Sequence, residues 1–264
     1  MASAASYTMS QKLDALTQDQ WKKEAAEAAA QQVKSGMVVG LGTGSTAKYA
    51  IDALGRRVAA EGLKISGIAT SERSNAQAQS LKIPITSFAE QSRIDLTIDG
   101  ADEVAPGKLI LIKGHGGALL REKIVASASS RMAVVVDESK IVSKLGQLVS
   151  VPVEVVPFGW EITSKRLAKI GGKPKLRLGS DSKPYVTDGG HYILDCAFGK
   201  MNDPADVAHE LDRIVGVIEH GIFLDLATEV FVGGPGGVAL LKRTGSKSGA
   251  RPKKSATKAK SRRR

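Results

Sequence analysis

The chain has 264 residues, 42% of them apolar, which is enough to fill a core and too many for a disordered protein. Its formal charge of +11 lies at one end: eleven of the 38 Lys and Arg fall from Lys242 onward with no acidic residue among them, and the remainder is balanced at 27 against 27. A nucleic-acid reading must therefore rest on that basic end alone, while a disulfide framework, with Cys196 alone, and a membrane span, since no apolar run approaches about 20 residues, are excluded.

The opening stretch MASAASYTMSQKL has no apolar leader segment, which with the lone cysteine points to a cytoplasmic protein; Met9 is an alternative start. Thr17, with Gln20 three residues later, gives a capping-box pattern for a helix through WKKEAAEAAAQQV. An alternation follows: MVVGL as strand, STAKYAIDALGRRVAAE as helix, KISGIAT as strand, ERSNAQAQSL as helix, DLTID and LILI as strands, ALLREKIVASAS as helix and MAVVV as strand. Short apolar runs separated by helical patterns predict an α/β fold, a Rossmann-like, mostly parallel sheet with helices on both faces, over residues 17–145.

After about residue 146 the rhythm changes. VPVEVV, WEITSKRLAKIG, KPKLRL, PYVTDGGHYILD with a glycine turn between two alternating runs, DPADVAHELDRIV and GIFLDL predict strand, helix, two or three strands, helix and strand, a small α+β domain of ferredoxin-like order over 146–221. EVFVGG then returns to the first sheet, so 222–241 completes the first domain. Residues 242–264 form a low-complexity basic tail, expected to be disordered; it is a solubilising appendage or a weak, salt-sensitive contact for nucleic acid.

With the parallel strands aligned, their carboxyl ends carry Gly42 to Thr46, Thr70 and Ser71, Asp99 with Asp102, Lys113, and Asp137 with Lys140, all on one edge of one sheet, where ligands of such folds bind. GLGTGSTA, residues 40–47, turns from strand into helix; its glycines admit an anion, and the amides and hydroxyls at the helix start supply donors. It is neither a Walker A loop nor a clean dinucleotide fingerprint, and a tight packing turn is the alternative. DGADEV offers two carboxylates three apart, suited to proton handling or to a sugar hydroxyl; a turn with a helix cap is the plainer reading, and a metal pair lacks further ligands nearby. Lys113 can neutralise a developing oxyanion, and Glu122, if shielded from water, can act as a general base. Together these groups describe aldose–ketose isomerisation of a small phosphorylated sugar through an enediolate.

GLGTGSTA, DGADEV, KGHGGALLREKI, VVDESK, PVEVVP, GGKPKLR, TDGGHYILD and GIF stand in the order and at about the spacing of ribose-5-phosphate isomerase A, and the chain resembles that family from about residue 18 to 240. The resemblance implies interconversion of D-ribose 5-phosphate and D-ribulose 5-phosphate in the non-oxidative pentose phosphate pathway, without metal or organic cofactor, by a homodimer or homotetramer. It makes Glu122 the base that moves a proton between C1 and C2, with Asp99, Asp102 and Lys113 assisting ring opening and stabilising the enediolate oxygens. It assigns substrate binding to Thr43, Gly44, Ser45, Thr46, Lys140 and the segments Gly100–Ala101 and Gly114–Gly116, and a phosphate contact to Lys22.

The chain departs from the family pattern at His115, which stands where relatives often have glycine and reads best as a solvent-facing loop side chain, and at Gly234 and Gly236, which replace two polar residues. A non-catalytic sugar-phosphate sensor is the rival reading; it has no need of Glu122, Asp99, Asp102 and Lys113 together. A nicotinamide-dependent oxidoreductase would need the fingerprint that is absent.

Overall fold

The computed structural model describes residues 4–243, with side chains from residue 17 onward. The first unit contains α1 (Ala4–Ala30), β1 (Val38–Leu41), α2 (Ala47–Glu61), β2 (Ser66–Ala69), α3 (Glu72–Ser80), β3 (Leu96–Gly100), β4 (Glu103–Ala105), β5 (Ile110–Ile112), α4 (Leu119–Ser127) and β6 (Met132–Asp137), the last followed by a 3-10 turn (Glu138–Lys140). The second contains β7 (Val151–Val155), α5 (Trp160–Lys169), β8 (Lys173–Leu176), β9 (Tyr192–Ala197), α6 (Pro204–Asp212) and β10 (Val217–His220). The chain then returns through β11 (Ile222–Phe223), β12 (Glu229–Gly234) and β13 (Gly237–Lys242).

The main sheet has the order β13-β12-β6-β3-β1-β2, and every neighbouring pair is parallel except β12 with β13. Its inner strands are buried on both faces, which is why MAVVV and VVGL read as continuous apolar runs. Ala133 and Val135 face a core shared with the alanines of α1 and with Ile51 and Leu54 of α2. Met132, Val134 and Val136 face the opposite core with Ala126 of α4 and Leu111 of β5. Helices thus cover both faces. EVFVGG lies beside β6, as its composition predicts.

The second sheet has the order β10-β7-β9-β8 and is antiparallel throughout, the ferredoxin-like arrangement of a β-α-β-β-α-β segment. Its core takes in Ile112, Leu145 and Ile222 from outside residues 146–221, so the two units share apolar packing. Among the described residues no helix is long and apolar enough to cross a membrane.

Several expectations need correction. Helix α1 begins at Ala4, so Thr17 lies inside the helix rather than capping it; the good helix formers upstream let the helix propagate past the capping pattern. LILI is not a strand of the parallel sheet. Only the segment from Pro106 to Leu109 separates β4 from β5, far too short for a parallel crossover, and a turn there, with Gly107 at φ +84°, makes an antiparallel hairpin instead. With β11 it forms a separate three-stranded sheet. Lys113 therefore reaches the site from a second sheet, not from the same edge as the other clusters. GIFLDL supplies only the two residues of β11, paired with β5.

Of the two runs flanking the glycine turn in PYVTDGGHYILD, only the second is a strand; Pro184 lacks an N–H for the ladder and makes a single bridge with Leu178. Lys242 closes β13, and Arg243 pairs with Asp225 at 3.1 Å and donates to the Ala227 carbonyl at 2.8 Å. The ordered chain thus extends past the predicted start of the tail, whose remainder, 244–264, lies outside the described residues.

Candidate active site

The turn after β1 approaches β3 so closely that only glycine fits at its start: a Cβ on Gly42 would lie 2.2 Å from Asp99 Oδ1. Gly44 takes φ +124°, which other residues rarely adopt. The Thr43 amide donates to Asp99 Oδ1 at 3.0 Å. Its hydroxyl is occupied beneath the turn, 2.6 Å from Thr70 Oγ1, 2.8 Å from Ser71 Oγ and 3.1 Å from Ser74 Oγ. Ser74 Oγ donates in turn to the Gly42 carbonyl at 2.7 Å, so this hydroxyl cluster fixes the turn from below. The N-cap Thr46 makes no side-chain cap bond to α2, and this helix N-terminus, at Ser45 and Thr46, faces the cavity, an end that favours negative charge.

Lys113 is carried by the hairpin sheet and fixed through its backbone. Its amide donates to the Gly221 carbonyl at 2.8 Å, and Gly221 must be glycine because a Cβ there would lie 2.1 Å from the Lys113 carbonyl. The Lys113 ammonium is 2% exposed; it sits 3.0 Å from Asp99 Oδ2 and 3.3 Å from Glu122 Oε1, and donates to the Gly100 carbonyl at 2.5 Å. Asp99 also accepts from the Gly100 amide at 2.8 Å.

One ammonium thus serves two buried carboxylates. Burial, reinforced by the neighbouring Asp99 charge, pushes Glu122 up to about 8. Burial raises Asp99 as well, against the pull of Lys113. For Lys113, burial favours the neutral amine, but the charges of Asp99 and Glu122 outweigh it and hold the ammonium above the ordinary lysine range. Among the described residues Glu122 Oε2 is buried with no hydrogen-bond partner, leaving one oxygen of this weakly acidic carboxyl free for a proton that arrives with a ligand.

Asp102 stands at the other wall, accepting the His115 amide at 3.0 Å. The cavity between these groups measures about 250 Å³ and is lined by Thr43, Gly44, Ser45, Thr46, Gly100, Ala101, Asp102, Lys113, Gly114, His115, Gly116, Glu122 and Lys140. Asp99 lies beneath it, behind Lys113. Lys22 does not line it. Its helix packs on the end of β12, where a Cβ on Gly233 would strike the Trp21 carbonyl at 2.1 Å. The exposed His115 ring reaches the Ser150 carbonyl at 3.1 Å, a loop contact as its position suggests. A Cβ at Gly234 would approach Glu138 Oε2 at 3.0 Å, while one at Gly236 would meet open space, so neither substitution touches the cavity.

Sequence reasoning includes Gly221 in GIF and Arg177 in GGKPKLR without giving either a role, and passes over Ser74; Arg177 donates to the Gly114 carbonyl at 2.9 Å from the second sheet. These contacts join segments far apart in the chain, and no local pattern announces them.

Among the described residues, Asp212, Glu219 and His220 gather away from the cavity with metal-ligand chemistry. His220 Nδ1 accepts from the Ile222 amide at 3.2 Å, which puts the ring proton on Nε2, the atom facing Asp212; Lys123 already neutralises Glu219 at 2.5 Å. That arrangement is a satisfied polar cluster, and it offers a cation no free imidazole nitrogen.

A Rossmann-like sheet whose carboxyl edge sets an anion cradle beside a buried lysine and two buried carboxylates defines an enzyme that moves a proton on a small anionic substrate. The model of the family ribose 5-phosphate isomerase A (phosphoriboisomerase A) matches residues 66–237, and the chain belongs to this family. It is 51% identical over 226 residues to ribose-5-phosphate isomerase A of Synechococcus sp. (strain JA-3-3Ab), covering 86% of this chain and 98% of that one. It is 56% identical over 218 residues to the Gluconobacter oxydans protein of the same name, with coverage of 82% and 94%. Among solved structures, ribose 5-phosphate isomerase A from Methanocaldococcus jannaschii superposes with a TM-score of 0.81 at 40% identity, covering 85% of this chain and 99% of that one. A D-ribose-5-phosphate isomerase in complex with phospho-erythronic acid gives 0.82 at 42%, with coverage of 85% and 98%.

Proposed function

We propose that the chain interconverts D-ribose 5-phosphate and D-ribulose 5-phosphate by proton transfer through an enediolate, with Glu122 as the base. The observation that carries this reading is the pairing of Glu122 with Lys113 at 3.3 Å inside a buried wall of the anion cavity. A carboxylate held near neutrality can take a proton from a carbon beside a carbonyl and return it to the neighbouring carbon, because neither protonation state is strongly favoured. The Lys113 ammonium stabilises the oxygen on which negative charge develops, and because the ammonium is itself buried that attraction is weakly screened.

The remaining roles follow from position. The N-terminus of α2, with the Ser45 and Thr46 hydroxyls and Lys140, holds the phosphate. Asp102, on the cavity wall, handles the ring hydroxyl during opening, with Asp99 behind Lys113. A phosphorylated sugar acid of the kind bound by the solved relative carries two coplanar carboxylate oxygens, the geometry of an enediolate. Calorimetric titration with 4-phospho-D-erythronate tests this division of labour. The parent and Glu122→Gln bind it comparably, while Lys140→Ala and Ser45→Ala weaken binding about tenfold each; binding indifferent to both cradle substitutions would place the phosphate elsewhere.

We further infer that residues 17–145 with 222–241 form the catalytic domain and 146–221 a smaller one, and that the protein is a cytoplasmic homodimer or homotetramer. The buried free thiol of Cys196 supports a reducing compartment. Phe158, 94% exposed, stands with the exposed Ile162 and Val215 on the small unit, an apolar surface that suits a subunit contact.

A further inference from the structure

The second sheet is wired directly into the loop between Lys113 and α4. Arg177, just after β8, donates through Nε and Nη2 to the two carboxylate oxygens of Asp195 on β9, at 2.9 and 2.5 Å. Its remaining nitrogen, Nη1, donates to the carbonyls of Gly114 and His115 at 2.9 and 3.2 Å. The side chains of the pair are only 13% and 23% exposed, and the guanidinium charge is matched by Asp195, so Arg177 is not an anion ligand of the cavity.

What it controls is the direction of two peptide planes. In a trans peptide the C=O and the following N–H point opposite ways and turn together. Holding the Gly114 carbonyl therefore aims the His115 N–H, which donates to Asp102 Oδ2 at 3.0 Å. Holding the His115 carbonyl turns the Gly116 N–H away from Arg177, and Gly116 lines the cavity. Gly114, at φ +111°, has little intrinsic preference to keep these planes in place; the Gly117 N–H braces its carbonyl locally at 3.0 Å, and Arg177 adds the side-chain anchor that also takes the His115 carbonyl.

Resting on the isomerase reading above, we propose that Arg177, locked by Asp195, is a positioning residue for the reaction: through the Gly114 and His115 peptides it sets the orientation of Asp102 and of the Gly116 amide toward the substrate oxygens. The task requires a planar fork with donors on three nitrogens, which a lysine ammonium cannot supply even though it keeps the charge. Tyr185 adds a second brace from the same segment, its hydroxyl packed where a Cβ on Gly117 would lie 2.2 Å away.

Steady-state kinetics on ribose 5-phosphate with Arg177→Lys separates positioning from simple support of the fold. Leu167→Ala serves as the control, since Leu167 is fully buried in the core of the same unit. The expected result is a fall in kcat of at least about tenfold for Arg177→Lys with KM changed less than about threefold, as for a small misplacement of reacting groups. Leu167→Ala, assayed below its unfolding temperature, keeps the parental kcat. If Arg177→Lys does not fold, Asp195→Asn, which preserves volume and releases the fork, shows the same kcat loss. Parental kcat in the folded Arg177 or Asp195 variant, or an equal loss in Leu167→Ala, overturns the positioning role while leaving the isomerase reading intact; a parent protein without turnover overturns both.

Discussion

At the scale of single residues, the chemistry turns on where one proton resides. Asp99, Lys113 and Glu122 bring two carboxylates to one ammonium, all three withdrawn from water, and the Glu122 carboxyl is held up to about 8 by burial and by Asp99. Two consequences have definite signs. As a base, Glu122 must lose its proton before it can act, so kcat/KM rises with pH through an apparent pKa well above the ordinary glutamate value, and this rise is absent from whatever activity Glu122→Gln retains. For stability the sign is opposite. A carboxyl whose folded pKa is raised favours the folded state while protonated, so its contribution is complete below about 4.5 and is lost as pH rises toward 8. Tm measured from pH 5 to 9 therefore shows Glu122→Gln gaining on the parent as pH increases, and parallel curves would contradict the raised pKa. The identities of these three residues are legible in DGADEV and KGHGGALLREKI. Their shared proton is not, because it depends on a burial that only the assembled fold creates.

At the scale of elements, the strand–helix alternation is readable because the inner strands are short apolar runs and α2, α5 and α6 are amphipathic. The failures have specific causes. LILI has the composition of a buried parallel strand, and only the short connection to β4 and the Pro106–Gly107 turn reveal an antiparallel hairpin. Thr17 and Gln20 form a capping pattern that a longer helix overrides. GLGTGSTA is legible as an anion loop from its glycines, but the reason for Gly42 is tertiary: its α-carbon abuts the Asp99 carboxylate. Gly42→Ala accordingly forces Asp99 from its place beside Lys113. A stability cost of about 1–3 kcal/mol, typical of overpacking, is expected together with a fall in kcat. Urea denaturation and kinetics on the same preparation check both, and an alanine variant of parental stability and rate would show that the turn has room to spare.

For the whole molecule, the ferredoxin-like unit is more than an appendage on the catalytic sheet. Its core includes Ile112, Leu145 and Ile222, and its strands flank the two segments, around Lys113 and Gly221, that hold the buried lysine of the cavity. The order of its elements is legible in the sequence; its reach into the site through Arg177 is not, because that contact spans more than sixty residues. At the C-terminal end, Arg243 is tied to Asp225 and Ala227, which marks where the catalytic body closes. A chain ending at Arg243 is predicted to sediment as a dimer or tetramer and to turn over at the parental rate. A truncated protein that has lost activity, or whose assembly differs from that of the full chain, would show that residues 244–264 belong to the working body.

The most direct test of the central claim is conversion of ribose 5-phosphate to ribulose 5-phosphate by the purified full chain in the presence of EDTA, with Glu122→Gln assayed beside it. The predicted result is turnover that survives chelation in the parent and falls by about a hundredfold or more in the variant, the loss expected on removing a general base. Near-parental turnover in Glu122→Gln, or saturable binding of the sugar phosphate without conversion by the parent, would contradict it.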